Sequence, residues 1–474
     1  MDTSPDFMRN HEKPSGHAQE AKRESLLHSQ LIVMHSWGGG AEKWTRDYVL
    51  NDNSRYNYVL KSHGYSPKFG RIVELYDSQY SSPIRSWIFR SPIAATVSRH
   101  KEYESILDHV IGRYNISAII IASLIGHSLD TLRTGLPTAL LFHDYYPICP
   151  AFNITYNGIC SNCDDVRLAR CYDSNPWAYF RDECSAADLV DLRKEFTNTI
   201  QKTSPLLLAP SESVFRNIAN LSPAILEKSV RTVIPHGIAL DGENVGPWPL
   251  KLGERMRVVI PGILTPQKGE DILEVLVDEL LNFADLYFVG GGRTSGFVGK
   301  KGVHILGAYK NQHLPGIMRR IKPQICLLPS MVPETYGYAL SEFSRMAVPC
   351  LVSKVGAYEE RIQDGENGFL AESTSASMLA KLKKLAANPA SLERVGNNLK
   401  RKENITDVSE MIAMYHKALS PRKPSSVLDD NKSSDMLDIR ELHFLGLVMY
   451  WFKFYLHRGK RWLKRWVRSS AVAG

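Results

Sequence analysis

Glu334 and Glu342 stand eight residues apart in the stretch PETYGYALSEF, after an apolar run that ends LLPS. Eight residues is about 2.2 helical turns, so on one continuous helix both carboxylates would lie on roughly the same side. Gly337 between them alters that picture. Glu334 then precedes the helix, Gly337 permits close backbone approach, and Glu342 falls on the first turns, pointing back to the strand end. A carboxylate accepts hydrogen bonds from vicinal hydroxyls, so a pair spaced this way suits a ribose and a sugar. Two solvated surface glutamates would share the same spacing. Lys268, in TPQKGED, offers a compact ammonium beside a glycine, a sensible phosphate partner; a surface lysine before a helix reads the same way. His143 ends the run TALLFHD. It is either a structural hydrogen bonder or a site residue near its own pKa, with Asp144 orienting it or capping a turn.

Gly38, Gly39 and Gly40 follow the run LIVMHSW. Glycines are poor helix and strand formers, yet these stand where a strand should hand over to a helix. They mark either a backbone that passes close to a ligand or a flexible loop. They are not a dinucleotide fingerprint, which needs spaced glycines and an acid about 20 residues on.

Such residues need elements to position them. LIVMHS (31–36), SAIIIAS (117–123), TALLFHD (138–144) and LLLAPSE (206–212) read as buried parallel strands. MRVVIPG (256–262), DLYFVGG (285–291), VHILG (303–307), QICLLPS (324–330) and PCLVSKVG (349–356) form a second set. Helical segments such as KGEDILEVLVDELL lie between them. The alternation predicts an α/β architecture of two doubly wound sheets. The Gly- and Pro-rich stretch between the sets is a linker. Two such halves facing each other leave a cleft, with ligands at the C-terminal strand ends.

The 474 residues are 43% hydrophobic and 23% charged, a soluble composition with room for two domains and tails. The net charge of +8 is uneven: residues 421–474 hold 11 Lys/Arg against 5 Asp/Glu. The globular part is nearly balanced, which is not the pattern of a nucleic-acid-binding core. Seven cysteines and a polar start without an apolar h-region give the expectation of a cytoplasmic chain. Cys160, Cys163, Cys171 and Cys184 include a C-x2-C spacing. They are candidates for a structural zinc site, or else free thiols.

The motif E-x7-E after LLPS resembles the signature of retaining GT-B glycosyltransferases of family 4, which use nucleotide sugars. Further motifs resemble the family in the same order. GGGAEKW is similar to its first-domain glycine loop and LFHDYYP to its His-bearing strand end. LLLAPSESV and VIPHGI resemble the end of the first domain and the hinge. PGILTPQKGEDIL resembles the phosphate-binding start of the second domain, and PCLVSKVGAYEERIQDGENGFL the segment after the second glutamate. The resemblance spans about residues 30–418.

It implies a GT-B fold: two Rossmann-like doubly wound domains facing across a cleft. By resemblance, Glu342 holds the nucleotide ribose and Glu334 the donor-sugar hydroxyls. Amides around Tyr336 and Gly337 lie near the diphosphate, Lys268 pairs with it, and His143 lies near the donor sugar. His143, Lys268 and Glu334 are thus the candidate catalytic residues; Gly39, Gly40, Gly262, Lys268, Glu334, Tyr336, Gly337 and Glu342 are the candidate donor-binding set. No catalytic metal or cofactor is implied, and no D-x-D stands beside a strand. The donor's own phosphate oxygen would deprotonate the acceptor while protein groups stabilise the diphosphate. One departure is Ile263 after Gly262, where the family often carries Arg; Arg293 in GGGRT is a candidate substitute.

The expected organisation is a disordered lead-in at 1–28, an acceptor-side domain at 29–238 and a linker at 239–255. A donor-binding domain at 256–405 follows, then a helix at 406–420 crossing back to the first domain. A linker at 421–440 leads to a basic amphipathic tail at 441–474. Beyond Glu441 there are seven Lys/Arg and no acid, and the apolar run from Leu442 to Phe452 is too short to span a bilayer. With Trp462 and Trp466 to anchor it, the tail reads as an interfacial membrane helix, or a helix that docks on the protein or on a partner. The functional expectation is a hexosyltransferase-type enzyme at the inner face of the membrane. It would add sugar from a nucleotide-diphospho-sugar to a glycan, lipid-linked as in bacterial polysaccharide or lipopolysaccharide assembly. The alternatives are a transferase with a soluble acceptor and a non-catalytic nucleotide-sugar-binding scaffold.

Overall fold

The computed structural model describes residues 28–63, 70–239, 245–251, 253–292, 294–401 and 405–419. The lead-in, Arg293 and the tail with its linker lie outside the described residues. So does the question of what the tail does. Among the described residues no helix is long and apolar enough to cross a membrane.

Leu31, Ile32, Val33 and Met34 have no exposed surface. A strand apolar on both faces must be covered on both, which places it inside a parallel sheet. It is β1 (Ser29–His35). The strands that follow in the first half are β2 (Tyr56–Ser62), β3 (Ile72–Tyr76), β4 (Pro83–Ile88), β5 (Thr96–Val97), β6 (Ile116–Ile121), β7 (His127–Ser128), β8 (Thr138–Leu141), β9 (Leu206–Ala209) and β10 (Arg231–Val233). Eight of them form one sheet in the order β10-β9-β8-β6-β1-β2-β3-β4, while β5 and β7 pair separately. The sheet is not parallel throughout: β3 pairs antiparallel with β2 and with β4. Sequence reading gave no strand at 56–88. β2 mixes polar residues with apolar ones, and β3 and β4 form an edge meander that needs no continuous apolar run.

The second half is parallel in every pairing. Its strands are β11 (Met256–Pro261), β12 (Ala284–Val289), β13 (Val303–Leu306), β14 (Ile325–Leu328), β15 (Cys350–Ser353) and β16 (Phe369–Ala371), in the order β13-β12-β11-β14-β15-β16.

The chain returns to the first sheet at its described end. The helix Val408–Ala418 buries Met411, Ile412 and Tyr415 in one cluster with Ile32, Trp44 and Tyr48. Where it returns, Ile238 bridges Asp407. A side chain at Gly237 would strike the backbone of Asp407 and Val408, so the two crossings pack closely.

The segment after β8 carries the cysteines around a helix, Asp165–Ser174. The zinc expectation is not met. Among the described residues no group of three or more His, Cys, Asp or Glu is arranged to hold a metal ion. The thiols serve packing and hydrogen bonds instead. Cys160 belongs to the first domain's core. Cys163 accepts from Arg193 at 3.4 Å and Cys171 from Asn175 at 3.3 Å. Cys184 lies 3.2 Å from the Tyr172 hydroxyl. Burial pushes the Cys160, Cys171 and Cys184 thiols up.

Tyr415 is fully buried between the Trp44 and Tyr48 rings, at 5.3 and 5.4 Å. Tyr415→Ala should lower stability by about 3 kcal/mol in denaturant titration. Lys417→Ala, on the exposed side of the same helix, should change it by less than about 0.5 kcal/mol.

Candidate active site

The C-terminal ends of the two sheets face each other across a cavity of about 350 Å3. His35, Gly38, Gly40, Ala41, His143, Asp144 and His236 line it from the first domain. Lys268, the run Glu334 to Ala339 and Tyr358 line it from the second.

The second domain's wall is the loop between β14 and the helix Tyr338–Arg345. Gly337 caps that helix at φ +80°, where a Cβ would drive into the Tyr358 ring; only glycine makes this turn. Gly269, at φ +85°, packs in the same way on the backbone of Pro329. The turn that carries Lys268 is thereby pressed against the loop. Its Nζ reaches Glu334 Oε1 at 2.5 Å, and Ser330 Oγ donates to the same oxygen at 3.2 Å. The lysine is about half exposed, so this pair sets geometry more than stability.

Glu342 stands in the second turn of the helix and is buried. Asn311 Nδ2 donates to its Oε1 at 3.0 Å. Lys43, on the first-domain helix Gly39–Asn51, brings Nζ to 3.9 Å of the same oxygen from across the cleft. Burial pushes the Glu342 carboxyl up, and Lys43 and Asn311 oppose that shift. Lys43 also pairs with Asp47 at 2.8 Å.

Three hydrogen bonds stitch the loop to the first domain. Thr335 Oγ1 donates to the His143 carbonyl at 2.8 Å. Ser211 Oγ donates to the Thr335 carbonyl at 2.8 Å, and the Tyr336 hydroxyl to the His236 carbonyl at 2.7 Å.

The facing wall holds three histidines. His143 and His236 have ring centroids 5.0 Å apart, and His236 stacks on Tyr338 at 5.2 Å. His35 Nδ1, His143 Nε2, His236 Nδ1 and the Tyr338 hydroxyl are buried atoms without a protein hydrogen-bond partner. Buried polar atoms are normally satisfied, so four orphans around one cavity fit a polar ligand. Burial lowers the His35 pKa to about 4 and the His143 pKa to about 3, and holds His236 well below the usual range. All three imidazoles are neutral at pH 7. Asp144 Oδ1 accepts from the Tyr146 amide at 2.8 Å, and burial pushes its carboxyl up to about 6.

Of the sequence candidates, His143, Lys268, Glu334, Tyr336, Gly337 and Gly40 come together at this cavity. Gly40 faces Tyr338, with space for a Cβ at 3.6 Å from the ring. Glu342 stands just behind, on the helix. Gly39 lies outside the lining at φ +74°, and Gly38 takes the place beside Gly40. Gly262 is also outside it, at φ +85° with open space around a Cβ, and Ile263 beside it is about two-thirds exposed. Sequence reading passed over His35, His236, Lys43 and Asn311. His35 ends β1 and His143 stands two residues past β8, so the same logic finds it. His236 sits in VIPHGI, which reads as linker. Lys43 and Asn311 carry no local signal, because their partner lies far away in the chain.

Residues 247–388 match the family described as Glycosyl transferases group 1. No curated protein sequence matches the chain. Among solved structures, HepE from Anabaena in complex with UDP and glucose is similar with a TM-score of 0.54 at 16% identity, over 83% of this chain and 100% of that one. Sucrose-phosphate synthase from Thermosynechococcus elongatus is similar with a TM-score of 0.54 at 15% identity, over 82% and 98%. The fold is GT-B. The catalytic domain of starch synthase IV from Arabidopsis thaliana, bound to ADP and acarbose, is also similar, with a TM-score of 0.52 at 11% identity over 83% and 98%. At these identities the likeness is one of fold.

The neutral histidines set a pH dependence. In the unfolded chain each takes a proton near pH 6.5; in the folded chain His35 and His143 do so only near 4 and 3. Between those limits the unfolded state binds more protons, so stability falls as pH is lowered. The Tm measured by calorimetry should drop steadily from pH 7 to pH 5, and less steeply in His143→Asn. Equal slopes in the two proteins would show that His143 is not held neutral.

Proposed function

We propose that the chain is a retaining glycosyltransferase that moves a sugar from a nucleotide-diphospho-sugar to a glycan acceptor. The observation that carries this reading is the division of the cavity. Lys268 with Glu334 and the buried Glu342 stand on one side, and neutral histidines with unsatisfied nitrogens on the other. Glu342 takes the ribose hydroxyls and Glu334 those of the donor sugar. Lys268 lies against the diphosphate and offsets the charge that grows there as the glycosidic bond breaks. The imidazoles bond sugar hydroxyls without setting further positive charge against a carbon that is itself becoming cationic. The donor phosphate oxygen takes the acceptor proton on the same face, so neither a protein base nor a metal is required. HepE is solved with UDP-glucose and starch synthase IV with ADP, which supports a nucleotide-bound donor here.

Glu334→Ala and Lys268→Ala should each lower turnover at least roughly 100-fold while Tm stays within a few degrees. The donor is first found by thermal shift with UDP-, GDP-, ADP- and dTDP-sugars, since a bound ligand raises apparent stability. Near-normal turnover in both variants would sink the assignment. Binding without turnover in the wild type would favour the scaffold reading.

The acceptor we propose is lipid-linked, at the cytoplasmic face of a membrane, as in polysaccharide or lipopolysaccharide assembly. Support comes from the sequence at 441–474, which at helical spacing would set basic residues on one side and aromatic ones on the other, as suits anionic lipid. The full chain should float with vesicles containing anionic lipid, and a chain ending at 440 should not. Equal flotation of the two would count against it.

A further inference from the structure

Arg361 ends the short helix Ala357–Arg361 and reaches the loop between the two glutamates from behind. Its Nη1 donates to the Tyr336 carbonyl at 2.7 Å and to the Gly337 carbonyl at 3.4 Å. Its Nη2 donates to Ser341 Oγ at 2.6 Å. The guanidinium lies 3.9 Å from the centre of the Tyr336 ring, close enough for a cation–π contact. Arg361 and Tyr336 line a second cavity of about 750 Å3, and Tyr336 lines both cavities. The loop is therefore a wall one residue thick, with the active site on one face and Arg361 on the other.

A trans peptide is planar, and its C=O and N–H point in opposite directions. Holding the Tyr336 carbonyl toward Arg361 turns the Gly337 N–H the other way, into the active-site cavity. Gly337 also opens the helix Tyr338–Arg345, whose positive end favours an anion. The neighbouring residue fastens Arg361 from the opposite domain. Glu360 accepts from the backbone amides of Glu212 and Ser213 at 3.0 and 2.7 Å, at the start of the first-domain helix Glu212–Leu221.

We propose that Arg361 is a positioning residue for the donor: it fixes the Tyr336–Gly337 peptide so that the Gly337 N–H meets the diphosphate. The proposal rests on the donor-site reading above. Arg361 acts through the peptide and touches no substrate. Lysine cannot replace it, because one ammonium cannot hold a carbonyl and a hydroxyl in a planar fork while lying flat on a ring.

The test compares a nucleoside diphosphate with its own nucleoside on the full chain by calorimetric titration. The probes are UDP with uridine, GDP with guanosine and ADP with adenosine, using the pair that the wild type binds. Arg361→Met should weaken the diphosphate roughly tenfold, the loss of about one well-placed hydrogen bond, and the nucleoside less than about twofold. Arg361→Lys keeps the charge and should recover little of that loss. Ser341→Ala removes one anchor of the fork and should weaken the diphosphate a few-fold with the nucleoside unchanged. Equal losses for both probes in Arg361→Met would make the role merely structural, and full recovery in Arg361→Lys would make it one of charge; either overturns the proposal. If Arg361→Met does not fold, Ser341→Ala decides, and wild-type diphosphate affinity there is the overturning result. A wild type that binds no diphosphate would instead refute the donor-site reading itself.

Discussion

The interface that the rest of the site depends on is the stitching of residues 334–337 to the first domain. Thr335 gives its hydroxyl to the His143 carbonyl and takes one from Ser211, and Tyr336 reaches the His236 carbonyl. All three bonds use a main-chain carbonyl as acceptor, so they fix the course of the backbone whichever way neighbouring side chains turn. They set the separation of the walls, and with it the size of the space between Glu334 and the imidazoles. Each bond is worth only about 1 kcal/mol net. Their value lies in direction, since together they hold the loop at two consecutive residues.

The two walls differ in electrical character. The second domain carries Lys268 and Glu334, and Lys43 leans in from the first. On the facing wall the three imidazoles are neutral, because burial removes the protonated form, and Asp144 is the acidic group among them. The long lever for this is packing: Trp44 under His143 and Tyr338 against His236 supply the apolar surroundings that keep the rings uncharged.

Much of the fold was legible because parallel strands covered on both faces must be continuous apolar runs, as at 31–34 and 325–328. What escaped notice were the strands without that constraint. β2 mixes Asn57, Lys61 and Ser62 with its apolar residues, and β3 and β4 pair antiparallel at an edge. At the site, Gly337 was legible from the turn it must make, and Glu334, Lys268 and His143 from motifs that resemble a family; all four line the cavity. Lys43, Asn311 and Arg361 were not, because each is defined by a partner in another segment. The cysteines misled for a related reason. A C-x2-C spacing states that two thiols can approach one point, but burial and the partners Asn175, Arg193 and Tyr172 decide what they meet there.

The described chain passes between the domains twice, and the two passages touch: Ile238 bridges Asp407, its amide donating to the Thr406 carbonyl at 3.1 Å. Two connections fastened side by side act as a pair of pins. They tie the two domains at one place, and the contacts of Lys43 with Glu342 and of Thr335 with His143 span the same two domains.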